Sequence, residues 1–179
     1  LENIFFLRNQ AQVRRMLAVL PQAQRALVLG GGLVGFKAAY ALLRRGLKVT
    51  LLIRSGYPLS MQADETAGAM VLEELRRKGL DVRVGVEVIG FDGGPAVRNA
   101  RLSDGSQLGC DLVVVGKGVL PAHAFLDRSQ VDVDLGIMVD AHMRTSASNV
   151  YAAGDVAEAV DLARGTRWVN AIWPESVAQ

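Results

Sequence analysis

Arg25-Ala-Leu-Val-Leu-Gly-Gly-Gly-Leu-Val-Gly-Phe-Lys-Ala-Ala-Tyr40 is the stretch whose reading decides the fold. An apolar run, Ala26 to Leu29, meets glycines at 30, 32 and 35, and an apolar-periodic helix pattern then runs from about Val34 to Arg45 and stops at Gly46. A second β-rich run, Lys48 to Ile53, follows. Strand, glycine-rich turn, helix and strand stand in the order a dinucleotide site requires. Gly30 permits the tight turn, Gly32 lets the backbone approach a pyrophosphate, and Gly35 lets the helix pack close to the strand. The exposed N–H groups and the dipole of the helix N-terminus supply an anion site. Gly30, Gly31, Gly32, Leu33, Val34 and Gly35 are therefore candidate cofactor-binding residues. The competing reading is a glycine-rich turn that binds nothing.

Working outward, the remaining elements keep an α/β order. A short apolar patch, Ile4 to Leu7, precedes a helix-like stretch that ends before Pro21. After the loop Ser55-Gly-Tyr-Pro58, a helix starts near Asp64, a plausible N-cap, with apolar residues at Ala67, Met70, Val71 and Leu75. Arg76, Arg77 and Lys78 crowd its last turn, where cations favour the dipole, and Gly79 stops it. Val82 to Val84 reads as the next strand. The pattern then changes. Val86–Phe91, Ala96–Leu102 and Gln107–Leu108 are separated by the turn signals Asp92-Gly-Gly-Pro95 and Asp104-Gly105, which predicts an antiparallel three-strand meander. Leu112-Val-Val-Val115 reads as a fully buried parallel strand.

Composition narrows the class. The 179 residues are half hydrophobic and one-fifth charged, ordinary for a globular protein with a real core. A net charge of +2 gives no reason to invoke nucleic acid or an anionic membrane, and no apolar stretch is long enough to span a bilayer. The first twenty residues do not read as a signal peptide. The single cysteine, Cys110, excludes an internal disulfide and fits a cytoplasmic location. His123 and His142 have no ligand-like spacing, so no metal is expected. The first residue is Leu, consistent with an excised piece of something longer.

Two further segments join the glycine turn: Leu112-Val-Val-Val-Gly-Lys-Gly-Val-Leu-Pro121, and Gly136-Ile-Met-Val-Asp-Ala-His-Met-Arg-Thr-Ser146 followed by Asn149-Val-Tyr-Ala-Ala-Gly-Asp155. With them the chain resembles the FAD-dependent pyridine nucleotide-disulfide oxidoreductase family. The tail Asn170 to Gln179 is similar to reductases related to rubredoxin reductase, NADH oxidase and the flavin module of nitrite reductase. The resemblance implies a Rossmann-like parallel sheet with helices and an inserted antiparallel meander, plus a partial second, FAD-binding domain. It implies a strand and linker leaving the FAD domain at residues 1–20, an NAD(P)-binding domain at 21–119, and a returning FAD segment at 120–179. The opening FAD segment and a C-terminal dimerisation domain would lie outside this sequence, and the intact enzyme would be a homodimer.

The same resemblance implies function. NAD(P)H would deliver hydride to FAD, and reduced flavin would pass electrons to a small-molecule or redox-protein acceptor. Asp155 would hold the ribityl chain of FAD, with Gly154 allowing close approach; read alone, Gly-Asp is also common turn chemistry. Gly118 would permit close cofactor approach, although Leu120, Pro121 and Ala122 depart from the family's wording. Trp173-Pro174-Glu175 would start a helix aimed at the flavin. Cofactor choice turns on the end of the second strand, where an acidic residue usually selects NAD and a nearby Arg accommodates the 2′-phosphate of NADP. Here Ile53 is followed by Arg54 and Ser55, and no carboxylate follows until Asp64. Arg54 therefore favours NADP, with NAD left open and a solvated loop arginine as the plain alternative. Ser60 stands near the place of a second phosphate-binding Arg. Lys37 reverses the charge common on the first helix but reads as a partly exposed side chain. No catalytic residue is identified. A flavin-free NAD(P)-dependent dehydrogenase and a non-enzymatic nucleotide-sensing module remain as alternatives.

Overall fold

The computed structural model describes residues 1–126, 130–162 and 164–171. It forms two compact units, Leu1–Gly118 and Val119–Gln179. In the first, the order is β1 (Ile4–Phe5), α1 (Gln10–Val19), β2 (Arg25–Leu29), α2 (Leu33–Leu43), β3 (Lys48–Ile53), α3 (Glu65–Arg77), β4 (Asp81–Val84), β5 (Val88–Gly93), β6 (Val97–Leu102), β7 (Gln107–Gly109) and β8 (Leu112–Val115). Five strands make a parallel sheet in the order β1-β8-β2-β3-β4, and β5-β6-β7 make a separate antiparallel sheet.

Strand alternation builds a core on each face of the parallel sheet. Ala26, Val28, Val49, Leu51, Ile53, Leu112 and Val114 pack with Met16, Ala38, Ala39, Leu42 and Leu75 of the three helices. Leu27, Leu29, Leu52 and Val113 pack instead with Val97, Ala100, Leu102 and Cys110 beneath the meander. Burial on both faces is why Leu112 to Val115 reads as an unbroken apolar run. The two cores also follow from connection handedness. Steps from β2 to β3 to β4 run one way across the sheet with α2 and α3 on one face. The return to β8 runs the other way, so a connection of the same hand must cross the opposite face, where the meander sits.

The helices form for local reasons. α2 buries Gly35, Ala38, Ala39 and Leu42, a stripe at helical spacing. In α3 the Asp64 carboxylate accepts the Ala67 N–H as an N-cap. At its C-terminal end Arg77 and Lys78 pair with Glu74, and Arg77 holds that carboxyl below its usual range.

Residues 1–20 pack within this unit. β1 pairs in parallel with β8 through Ile4–Val113 and Phe5–Val114, and Phe5, Met16 and Leu20 join the helix-side core. Asn3, 6 % exposed, fastens this edge: its amide donates to the carbonyls of Val97 and Asp111 at 2.8 Å, and its oxygen accepts the Val97 N–H at 2.7 Å. Asn3→Ala strands three backbone groups and should cost about 2–3 kcal/mol. Urea unfolding should show a lower midpoint at unchanged slope; an unchanged midpoint would mean that water replaces the amide.

The second unit contains β9 (Ile137–Met138), β10 (Ala157–Asp161) and β11 (Thr166–Trp168), in the order β11-β10-β9. Its core is Val131, Ile137, Val139, Ala152, Ala157 and Ala159. Glu158, 3 % exposed, accepts the Gly136 N–H at 2.9 Å, and Arg167 donates to the carbonyls of Val139 and Glu158. Tyr151 forms one isolated antiparallel bridge, with Arg144. A single helical turn, Gly154–Val156, follows, because the chain must bend before β10 begins.

Candidate functional site

The carboxyl ends of β2, β3 and β8 meet where the strand order reverses about β2, the place where open α/β sheets bind ligands. Gly30 donates to the Leu52 carbonyl at 2.8 Å and Gly116 to the Leu29 carbonyl at 2.7 Å, so the ladder ends on two glycines. Gly30 has φ +111°, and a side chain there would strike the Gly116 carbonyl. A Cβ on Gly35 would overlap the Gly30 carbonyl oxygen, and one on Gly116 would meet the backbone of Gly35 at 2.8–2.9 Å. These three glycines are thus backbone in contact with backbone. Gly35 approaches the turn at the strand's end, as expected; Gly116, which sequence reasoning did not assign, is the third partner. Its only signal was its place after the buried run.

Gly31 and Gly32 differ. A Cβ on Gly31 would press on Ile53 at 2.7 Å. Gly32 has nothing within 4 Å of that position and an ordinary extended backbone, φ −81°. The fold does not require glycine at 32. Gly32 is also the N-cap of α2, with no side-chain cap; Phe36 makes the first helical bond, to the Gly32 carbonyl. The amides of Leu33, Val34 and Gly35 precede that bond and have no intrahelical acceptor. Bare donors, a helix dipole and open room above Gly32 fit a diphosphate.

Beside this turn, Ile53 is 1 % exposed and fills the slot against Gly31 with hydrocarbon. Arg54 points out, its side chain 83 % exposed, with Nε 3.7 Å from Glu87 Oε1. No carboxylate was expected near Arg54 before Asp64. Folding corrects this: Gly85 donates to the Ile53 carbonyl at 2.8 Å and so brings residue 87 alongside. The following loop is tied back by Leu59, which donates to the Gly31 carbonyl at 2.8 Å, and Tyr57 packs on Gly68 of α3. Ser60 is exposed in this loop. Gly118 is exposed, with φ +93° and open space about it. Lys37 is exposed on α2, at a groove of about 310 Å³ with Leu7, Met16, Val34 and Arg45.

In the second unit, Gly154 has φ +77° with nothing within 4 Å of its Cβ position, and Asp155 is exposed on the turn. Trp173, Pro174 and Glu175 lie outside the described residues. Cys110 is 2 % exposed, and burial pushes its thiol up to about 11, which keeps it a packed thiol rather than a nucleophile. Among the described residues no cluster of His, Cys, Asp and Glu could hold a metal, and no helix is long and apolar enough to cross a membrane.

The family model for pyridine nucleotide-disulphide oxidoreductase matches residues 1–173. The ferredoxin reductase subunit of 5,5′-dehydrodivanillate O-demethylase from Sphingobium sp. is 37% identical over 158 residues, 87% of this chain and 38% of that protein. The epsilon subunit of NADH-dependent phenylglyoxylate dehydrogenase from Aromatoleum evansii is 34% identical over 173 residues, 97% of this chain and 41% of that protein. The putidaredoxin reductase–putidaredoxin complex superposes with a TM-score of 0.91 at 27% identity, over 98% of this chain and 43% of that one. The chain thus spans less than half the length of these relatives, and along almost its whole length it belongs to the pyridine nucleotide-disulphide oxidoreductase family.

Proposed function

We propose that this chain is the nicotinamide-nucleotide domain, with part of a flavin domain, of an NAD(P)H-dependent flavoprotein oxidoreductase. The observation that carries the reading is Gly32: a glycine with open space where a side chain would stand, capping a helix whose first amides have no intrahelical acceptor. In this reading Gly30, Gly31, Gly32, Leu33, Val34, Gly35 and Gly118 line the nucleotide, Arg54 takes its 2′-phosphate, and Gly154 with Asp155 belongs to the FAD side. Bound together, the cofactors supply hydride transfer from nicotinamide to flavin. The chain's own part is to fix the pyrophosphate on the α2 amides and to hold the loop after β3 against Gly31.

For the acceptor we favour a redox protein of the ferredoxin kind over a small molecule, supported by the names of the Sphingobium relative and the putidaredoxin reductase complex. The flavin-free dehydrogenase is the weaker alternative, because the family model for pyridine nucleotide-disulphide oxidoreductase matches residues 1–173. In this reading the described residues hold one pyrophosphate cradle, at the start of α2, and contribute one short turn, Gly154–Val156, to the flavin side. The 179-residue chain should therefore bind NADPH or NADH in calorimetric titration and purify without bound flavin. A stoichiometric yellow complex would contradict that division, and failure to bind either nucleotide would overturn the proposal.

A further inference from the structure

The pair Arg54–Glu87 has a consequence for which nucleotide the site prefers, given the nucleotide reading above, on which it rests. We infer that Glu87 is a specificity-determining residue whose carboxylate disfavours a 2′-phosphate and so restrains the NADP preference that Arg54 confers.

Placement is the first support. Glu87 is anchored through its backbone: its N–H donates to Ser103 Oγ at 3.0 Å, and its carbonyl accepts the Ser103 N–H at 2.8 Å. Two residues earlier, Gly85 continues the β3–β4 ladder by donating to Ile53. The carboxylate therefore stands on a fixed support at the carboxyl edge of β3. Its side chain is 42 % exposed, half the exposure of Arg54 beside it.

Charge is the second. Arg54 is the cation that follows β3, and Glu87 Oε1 lies 3.7 Å from its Nε. A 2′-phosphate that pairs with Arg54 must either displace Glu87 or share the guanidinium with it. Either way the phosphate and the Glu87 carboxylate compete for one guanidinium, and like charges at short range repel. A ribose with a free 2′-hydroxyl meets no such penalty, and a carboxylate can accept its hydrogen bond. Ile53 is buried and offers no acceptor, so Glu87 is the acidic group that the described structure places beside Arg54.

The test uses the 179-residue chain with Glu87→Gln and Glu87→Asp, titrated with NADPH, NADH, adenosine 2′,5′-bisphosphate and ADP. Glu87→Gln should raise the NADPH-over-NADH affinity ratio by about fivefold, the scale of an exposed charge pair. The ratio of bisphosphate to ADP should move with it, and the gain should shrink as salt is raised. Glu87→Asp keeps the charge and should restore a ratio near that of the unaltered chain. A purely structural role for Glu87 would lower both affinities together or shift the melting temperature without moving the ratio. That outcome, or a ratio that shifts toward NADH, overturns the inference alone. If the unaltered chain binds neither nucleotide, the proposed function falls and this inference with it.

Discussion

Gly35→Val is expected to destabilise the first unit by about 3 kcal/mol, while Gly32→Val, three residues away, leaves the fold intact and weakens nucleotide binding at least tenfold. The difference lies in what each missing side chain would meet. At Gly35 a Cβ overlaps the Gly30 carbonyl, so backbone would have to move at the junction of β2 and α2. At Gly32 an added Cβ would meet nothing within 4 Å, and φ −81° suits any residue. Valine there is a poorer N-cap than glycine, a cost of at most about 1 kcal/mol, partly offset by a less flexible unfolded chain. Its methyl groups would nevertheless stand above the open amides of Leu33 and Val34. Affinity for NADPH and NADH should fall by at least tenfold, about 1.4 kcal/mol. Thermal melts and calorimetric titrations on both variants separate the two effects. Equal affinity for Gly32→Val and the unaltered chain would remove the pyrophosphate from this turn.

What the sequence made legible, and what it did not, divides along chain distance. The glycine turn, α2 and β3 were readable because their signals sit within thirty residues of one another: strand run, glycines, helical stripe, strand run. The meander was readable because Asp92 to Pro95 and Asp104-Gly105 are strong turn formers at its corners. Helix ends shifted by a residue or two; α2 stops at Leu43 because Arg44 caps it and the chain turns into Gly46. β1 was visible only as an apolar patch, since two residues carry no periodicity, and its pairing with β8 joins positions more than a hundred residues apart. The Arg54–Glu87 pair and the contact of Gly116 with Gly35 are of the same kind. No local pattern announces them, because they exist only once the strand order is known.

Arg54→Ala should weaken NADPH binding more than NADH binding, by about tenfold. A hydrogen bond to a charged group is worth roughly 1.5–3 kcal/mol when desolvated. The Arg54 side chain is 83 % exposed, so solvent screening selects the lower end of that range. Two features of the structure shape the expected result. Ile53 cannot take over either role, because its side chain is locked against Gly31 and is 1 % exposed. Glu87 remains in Arg54→Ala with its counter-charge gone, so the variant combines lost attraction with uncovered repulsion, and NADPH should lose affinity twice over. The double variant Arg54→Ala/Glu87→Gln should then bind NADPH more tightly than Arg54→Ala, with NADH nearly unchanged. Titration of both nucleotides against the unaltered chain, the single variants and the double variant checks all of this. If Arg54→Ala weakens both nucleotides equally, Arg54 is a general anion contact and the NADP preference fails. If neither affinity changes, Arg54 is a solvated loop residue whose partner is Glu87 alone.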